Sequence, residues 1–234
     1  MKKSSLTPVL RTATLLIAFS LSACVGIDLD TDFARREGLH ARIIDQQEDR
    51  YPEIDPLALN DEIKALLAEH IRGGESVEQR VAILQELLYS EQYLNMQYSD
   101  IETHTAVEVF DARAGNCLSV MNLFVAMARH VGVDANFQTV KVRPTWDRRG
   151  DLLVISQHIN ATGRISVQRR FVVDFTPEIA LQQLTANIVS DQKARALHFN
   201  NLGVEAMVAG DLDLAVNYYR NALFLDPELS LAWN

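Results

Sequence analysis

Apolar residues recur at helical spacing in two stretches early in the folded region. Ile63, Leu66, Leu67 and Ile71 follow Asn60 and Asp61, which can cap a helix start, and Gly73 and Gly74 come next as a stop. Ser76 and Gln79 form a capping-box pair for a second helix with the stripe Val77, Val81, Leu84 and Leu88. Thr105 to Phe110 leads as a short helix or turn into "DARAGNCLSVMNLFVAMARHVG", Asp111 to Gly132. There Gly115 and Asn116 favour a turn and a cap, while Leu118, Met121, Leu123, Phe124, Val125, Met127 and Val131 wrap most of a helix. That helix is expected to be the buried rod of the domain, with Cys117 in its first turn. After Gly132 the period shortens: "ANFQTVKV", "LLVISQHIN" and "RRFVVDF" read as three strands, separated by "RPTWDRRGD" and "ATGRISVQ". Helices followed by an antiparallel meander predict an α+β domain over 59–185.

The segments on either side differ in kind. Residues 24–58 are polar and weakly periodic and read as a tether. "DLDTD", Asp28 to Asp32, is no calcium loop, because Phe33 stands where the turn needs glycine and Leu39 where the closing glutamate belongs. At 190–234, Phe199, Leu202, Gly203, Ala206, Ala215, Tyr219, Ala222 and Pro227 give a stretch that resembles a tetratricopeptide repeat, with Gly203 and Ala206 allowing two helices to approach. The resemblance implies a protein partner. Trp233 falls 34 residues after Phe199, as though a further unit begins, so the native gene product is expected to continue. A chain ending at Asn234 is expected to expose Leu225, Leu229 and Trp233.

The first 23 residues carry no fold. Lys2, Lys3 and Arg11 precede the apolar run "TLLIAFSL", which is too short for a mature membrane span, and "LSAC" follows. This arrangement resembles the lipobox of bacterial lipoproteins, which implies cleavage of 1–23 and lipidation of Cys24; a secretory peptide cut near Ala23 is the other reading. Several acyl chains anchor a protein stably where one does not. Val25 rather than aspartate after the cysteine implies, by the same resemblance, the outer membrane, facing the periplasm. Cleavage removes three positive charges and no negative ones, taking the net charge from −9 to −12. Such a balance argues against a nucleic-acid partner, because binding phosphates calls for a clustered basic excess.

With Cys24 lipidated, Cys117 has no disulfide partner in an oxidising compartment. In the first turn of a helix, unpaired N–H groups and the helix dipole favour a thiolate, which is the attacking form of the side chain. A nucleophilic cysteine also needs a base held by a third group, and His158 and Asp174 on the meander are the candidates. They face each other if the intervening hairpin turns about Ser166; a turn centred on Gly163 would put Gln168 opposite His158 instead. Cys117 as a small core residue, or as one ligand of a zinc site, are the alternatives. His40, His70 and His104 read as surface or locally bonded residues, and His130 suits its helix end. Trp146 either lines a cleft or covers the core. Arg148, Arg149, Arg164, Arg169 and Arg170 make either a basic rim for an anion or a charged hairpin edge.

The blocks "EVFDARAGNCLSVMNLFVAMARHVGVDA", "SQHIN" and "VVDFTP" resemble the transglutaminase-like superfamily over about Ile63 to Pro177. The resemblance implies a papain-type core, with Cys117 as nucleophile, His158 as general base and acid, and Asp174 orienting the imidazole. Ser119 stands where many members have an acidic residue, and Ile159 and Asn160 replace a small–aromatic pair. The combined expectation is a lipid-anchored envelope enzyme of acyl transfer, a protease, amidase or cross-linker, that needs no cofactor and acts on protein or peptide amides. The alternative is a non-catalytic scaffold using the repeat and the groove.

Overall fold

The computed structural model describes residues 43–99, 102–149, 152–176 and 185–233. The expected signal segment 1–23, Cys24 and His40 lie outside them. Six α-helices and six strands are described: α1 (Asp61–His70), α2 (Val77–Tyr89), β1 (Gln97–Tyr98), α3 (Ala106–Ala112), β2 (Ala114–Gly115), α4 (Cys117–His130), β3 (Ala135–Arg149), β4 (Leu152–Arg164), β5 (Arg170–Val173), β6 (Thr185–Ile188), α5 (Asp191–Val208) and α6 (Leu212–Leu225). A 3₁₀ turn, Ser230–Trp233, follows. None of the described helices is long and apolar enough to cross a membrane.

The helix starts follow from local capping chemistry. Asn60 Oδ1 accepts from the Ile63 N–H at 2.9 Å, and Ser76 and Gln79 close a reciprocal capping box. Thr105 and Glu108 form a second capping box at the start of α3, and Arg113 ends that helix in the left-handed region at φ 53°. Along α4 every residue from Leu118 to Ala128 is buried, so this helix is the rod around which the domain packs. Phe124 meets Phe171 of β5 edge-on at 6.3 Å between ring centroids.

The sheet differs from the three-strand expectation. Its order is β5-β4-β3-β6, antiparallel throughout, with β6 beside Gln138 to Lys141 of β3. "TANI" carries too little apolar pattern to read as a strand and becomes one by pairing. "RPTWDRRGD" is not a loop either: β3 runs on to Arg149 and pairs with Leu152 to Ser156, after an irregularity between Val140 and Thr145. Pro144 falls in that irregularity, where no ladder donor is required. The side chain of Trp146 lies outside the described part.

The hairpin from β4 to β5 turns about neither candidate residue. Ala161 pairs with Val173 and Gly163 with Phe171, which centres the turn on Val167, one residue beyond Ser166. Gly163 is instead mid-strand, paired with Ala135 and Phe171, where a Cβ would run into the Asp134 carbonyl and lie 2.6 Å from the Phe171 ring. The chain reverses through bonds from the N–H groups of Ile165 and Ser166 to the Arg169 carbonyl.

The expected tether is not free over its last part. Ile44 is buried, Tyr51 stacks on Phe199 at 5.5 Å, and Arg195 donates to the carbonyls of Tyr51 and Ile54 and to Asp49. An aromatic ring and a set of backbone acceptors suited to a guanidinium fold this segment onto α5. In the α5–α6 hairpin, Gly203 lies so close to the Tyr219 ring that a Cβ would come within 2.7 Å of it. The expected exposure of the chain's last apolar residues is corrected: Leu229 is buried, Leu225 and Trp233 are half-buried, and Trp233 Nε1 donates to the Pro227 carbonyl at 2.9 Å. One turn of 3₁₀ helix folds back over α6 and covers them.

Candidate active site

Cys117 is the first residue of α4 and is half-buried, so its sulfur sits at a rigid helix end while remaining within reach of solvent. The cap beneath it is Asn116, whose Oδ1 accepts from the Ser119 N–H at 2.9 Å and from the Ser119 hydroxyl at 3.0 Å. Gly115 permits this approach, since a Cβ there would lie 2.8 Å from Val109 and 3.0 Å from Ser119.

From His158 to Thr162, β4 is buried on both faces, so each polar side chain there needs a partner. His158 Nε2 bonds Asp174 Oδ2 at 2.7 Å, and Asn160 Nδ2 donates to the same oxygen at 3.1 Å. The Thr176 N–H holds Asp174 Oδ1 at 2.9 Å, and Thr162 Oγ1 donates to the Phe171 carbonyl. Nε2 is committed to Asp174, and Cys117 lies close enough to the imidazole for its charge to act on it. The three residues singled out in the sequence are therefore brought together. The register that does so is not the direct pairing expected: extending it puts Asn160 opposite Asp174 and leaves His158 diagonal to it. A turn displaced by one residue shifts the pairing by two, which preserves the face, and the imidazole spans the diagonal.

Burial alone would push the His158 imidazole down, but its hydrogen bonds to Asp174 and Cys117, with their charges, outweigh this and raise it from 6.5 to about 9. Burial would likewise raise Asp174, yet bonds from His158, the Thr176 N–H and Asn160 hold it below the ordinary carboxylate value. Nearby Tyr89, stacked on Phe175 at 5.7 Å, is pushed upward by burial and by the Asp174 charge. The histidine is accordingly charged at neutral pH. The stability it contributes is fully present below about 6.5 and lost as pH rises through about 9, whereas that of Asp174 is lost on acidification through its lowered value. Ring-proton NMR is expected to show His158 titrating near 9, and lower in Asp174→Ala, where only Cys117 is left to oppose burial. An unchanged midpoint would dissociate the two residues.

Residues 64–175 match the model of the transglutaminase-like superfamily. They form a transglutaminase-like domain. Searches of curated proteins and of solved structures returned no match. Within the transglutaminase-like domain the match takes in Cys117, His158 and Asp174 and ends one residue after the last of them.

The remaining candidates fall elsewhere. His70 Nδ1 bonds the Leu66 carbonyl and His130 lies exposed at the end of α4, both as expected. His104 is tied in through its backbone, its N–H donating to Ser119 Oγ at 2.8 Å. Arg169 pairs with Glu78 at 3.1 Å on the surface, which favours a charged edge over an anion rim. Among the described residues no group of three or more His, Cys, Asp and Glu is arranged to hold a metal ion. Sequence reading missed Asn160 as a partner of Asp174, although its position two residues after His158 on a strand puts both on one face. It missed Thr103 as well, which receives the Asn116 amide at 2.8 Å. No local pattern marks that residue.

Proposed function

We propose that this chain is a lipid-anchored, periplasm-facing cysteine enzyme of acyl transfer, acting on peptide or glutamine amides of the cell envelope. The observation that carries the reading is the His158–Asp174 hydrogen bond at 2.7 Å beside Cys117, with the cysteine at the start of a buried helix. In this reading Asp174 orients His158 and holds it protonated beside Cys117, whose sulfur is the attacking atom. The sulfur attacks the amide carbonyl, forming the S–C bond; as the C–N bond breaks, His158 gives its proton to the leaving amine. Water or a second amine, deprotonated by His158, then attacks the thioester, releasing Cys117 and leaving a carboxylic acid or a new amide. Cys24 is the proposed lipid attachment point, on the strength of "LSAC". The α5–α6 hairpin is the proposed tetratricopeptide element that docks a protein partner, supported by the Gly203–Tyr219 approach.

Incubation of the protein with envelope extract, followed by mass spectrometry, tests the reading. New termini or deamidated glutamines would mark hydrolysis, and isopeptide bonds would mark cross-linking. An extract indistinguishable from one treated with Cys117→Ala would instead favour a scaffold.

A further inference from the structure

We propose that the α5–α6 hairpin carries a peptide-binding site for an extended segment with an acidic residue two positions before an aromatic one, and that the chain's own residues 44–54 fill this site in cis. The inference rests on the reading of the hairpin as a docking element and needs nothing of Cys117. Arg195 and Phe199 on α5, and Asn217 and Asn221 on α6, are pairs one helical turn apart, so each pair lies on one helix face. Residues 44–54 run across both pairs. Arg195 donates to the carbonyls of Tyr51 at 2.6 Å and Ile54 at 3.0 Å, and to the Asp49 carboxylate. Asn221 Oδ1 accepts the Arg50 N–H at 3.0 Å and the Gln46 amide at 2.6 Å, while Asn217 Oδ1 accepts from the Arg50 side chain. The Tyr51 ring lies 5.5 Å from that of Phe199 and 5.1 Å from that of Tyr218.

Two features mark this as recognition of a ligand rather than packing of a core. From Asp45 to Asp55 the segment forms no helix or strand and no residue of it is buried; hydrogen bonds and one ring hold it to the surface. Three of the bonds go to its main chain, at the Arg50 N–H and the carbonyls of Tyr51 and Ile54, and any extended peptide can offer those. Selectivity is left to Arg195, which takes the carboxylate, and to the rings of Phe199 and Tyr218, which take the aromatic side chain. The segment also stays tethered beside the site: the Pro56 carbonyl accepts the Ala106 N–H at 2.9 Å, and α1 begins at Asp61. A ligand held this close has an effective concentration on the order of millimolar. A partner peptide of the same pattern therefore docks only by displacing residues 44–54.

The test is the binding of a fluorescein-labelled peptide of residues 43–56 to the full chain, read by anisotropy, with urea midpoints confirming folding. The variant Asp49→Ala/Tyr51→Ala, which loosens the cis segment, is expected to bind the peptide at least about tenfold more tightly than wild type. Adding Arg195→Ala is expected to weaken that binding on the order of tenfold, through loss of charged hydrogen bonds. A peptide that itself carries Asp49→Ala and Tyr51→Ala is expected not to compete. If the loosened chain does not fold, a protease site inserted between Ala58 and Leu59 decides the matter: once cut in the folded protein, the native segment should exchange for the labelled peptide. Wild-type affinity equal to that of the loosened or cut chain, or binding that ignores Arg195 or the two peptide positions, overturns the proposal while leaving the hairpin a docking element. No binding of either peptide by a folded, loosened or cut chain removes the peptide site and the docking role of this face together.

Discussion

His158→Ala is expected to lower amide turnover by roughly 10²–10⁴-fold while slowing release of nitrophenol from an activated aryl ester considerably less. The difference follows from the leaving groups. An amine departs only once protonated, and His158, held protonated by Asp174 beside Cys117, is the acid placed to give that proton. A nitrophenolate leaves without a proton, so the ester reports mainly the attack step. Cys117→Ala removes both activities, because no nucleophile is left at the start of α4. Steady-state rates on the two substrate types, taken side by side, check this. Equal losses on ester and amide would remove His158 from the role of acid, and residual ester turnover in Cys117→Ala would move the nucleophile elsewhere.

Gly163→Ala is expected to destabilise the domain by about 3 kcal/mol and to abolish the site with it. Gly163 pairs with Ala135 on one side and Phe171 on the other, in the middle of the sheet. An added methyl would overlap the Asp134 carbonyl, which is backbone and cannot swing away, and would press on the Phe171 ring at 2.6 Å. Relief requires the β3–β4 or β4–β5 ladder to open, and the second of these sets the distance from His158 to Asp174. Gly74→Ala is the control: nothing lies within 4 Å of a Cβ there, and stability should change by no more than about 0.5 kcal/mol. Urea unfolding of both variants tests the contrast, and a Gly163→Ala midpoint close to wild type would show that the sheet yields where it is described as filled.

Several elements were readable because their causes lie within a few residues of one another. The caps at Asn60, Ser76 and Asn116 are exchanges between a side chain and a backbone N–H three positions on, and the buried stripe of α4 is a period in the chain itself. Other elements owe their form to partners far away in sequence. "RPTWDRRGD", with its proline and charges, offers no strand pattern and is extended because Leu152 to Ser156 pair with it. "TANI" is a strand because β3 has a free edge beside it. The polar stretch ending at Pro56 looks like linker until Arg195 and Phe199, more than 140 residues later, supply a surface for Asp49 and Tyr51.

The candidate site divides along the same line. The sequence by itself determined that Cys117 stands at the capped start of an apolar helix, and that His158 and Asp174 lie on consecutive strands, since these follow from local spacing. The tertiary structure decided whether the three would meet. By local chemistry "TGR" is the stronger turn signal, yet the chain turns beyond it. The decision came from long-range pairing: Gly163 lies between Ala135 and Phe171 in mid-sheet, where the Asp134 carbonyl and the Phe171 ring leave room for no Cβ, and the chain turns at 165–169, with Asn160 opposite Asp174. Burial of β4 on both faces then obliges His158 and Asn160 to satisfy their hydrogen bonds on that one carboxylate.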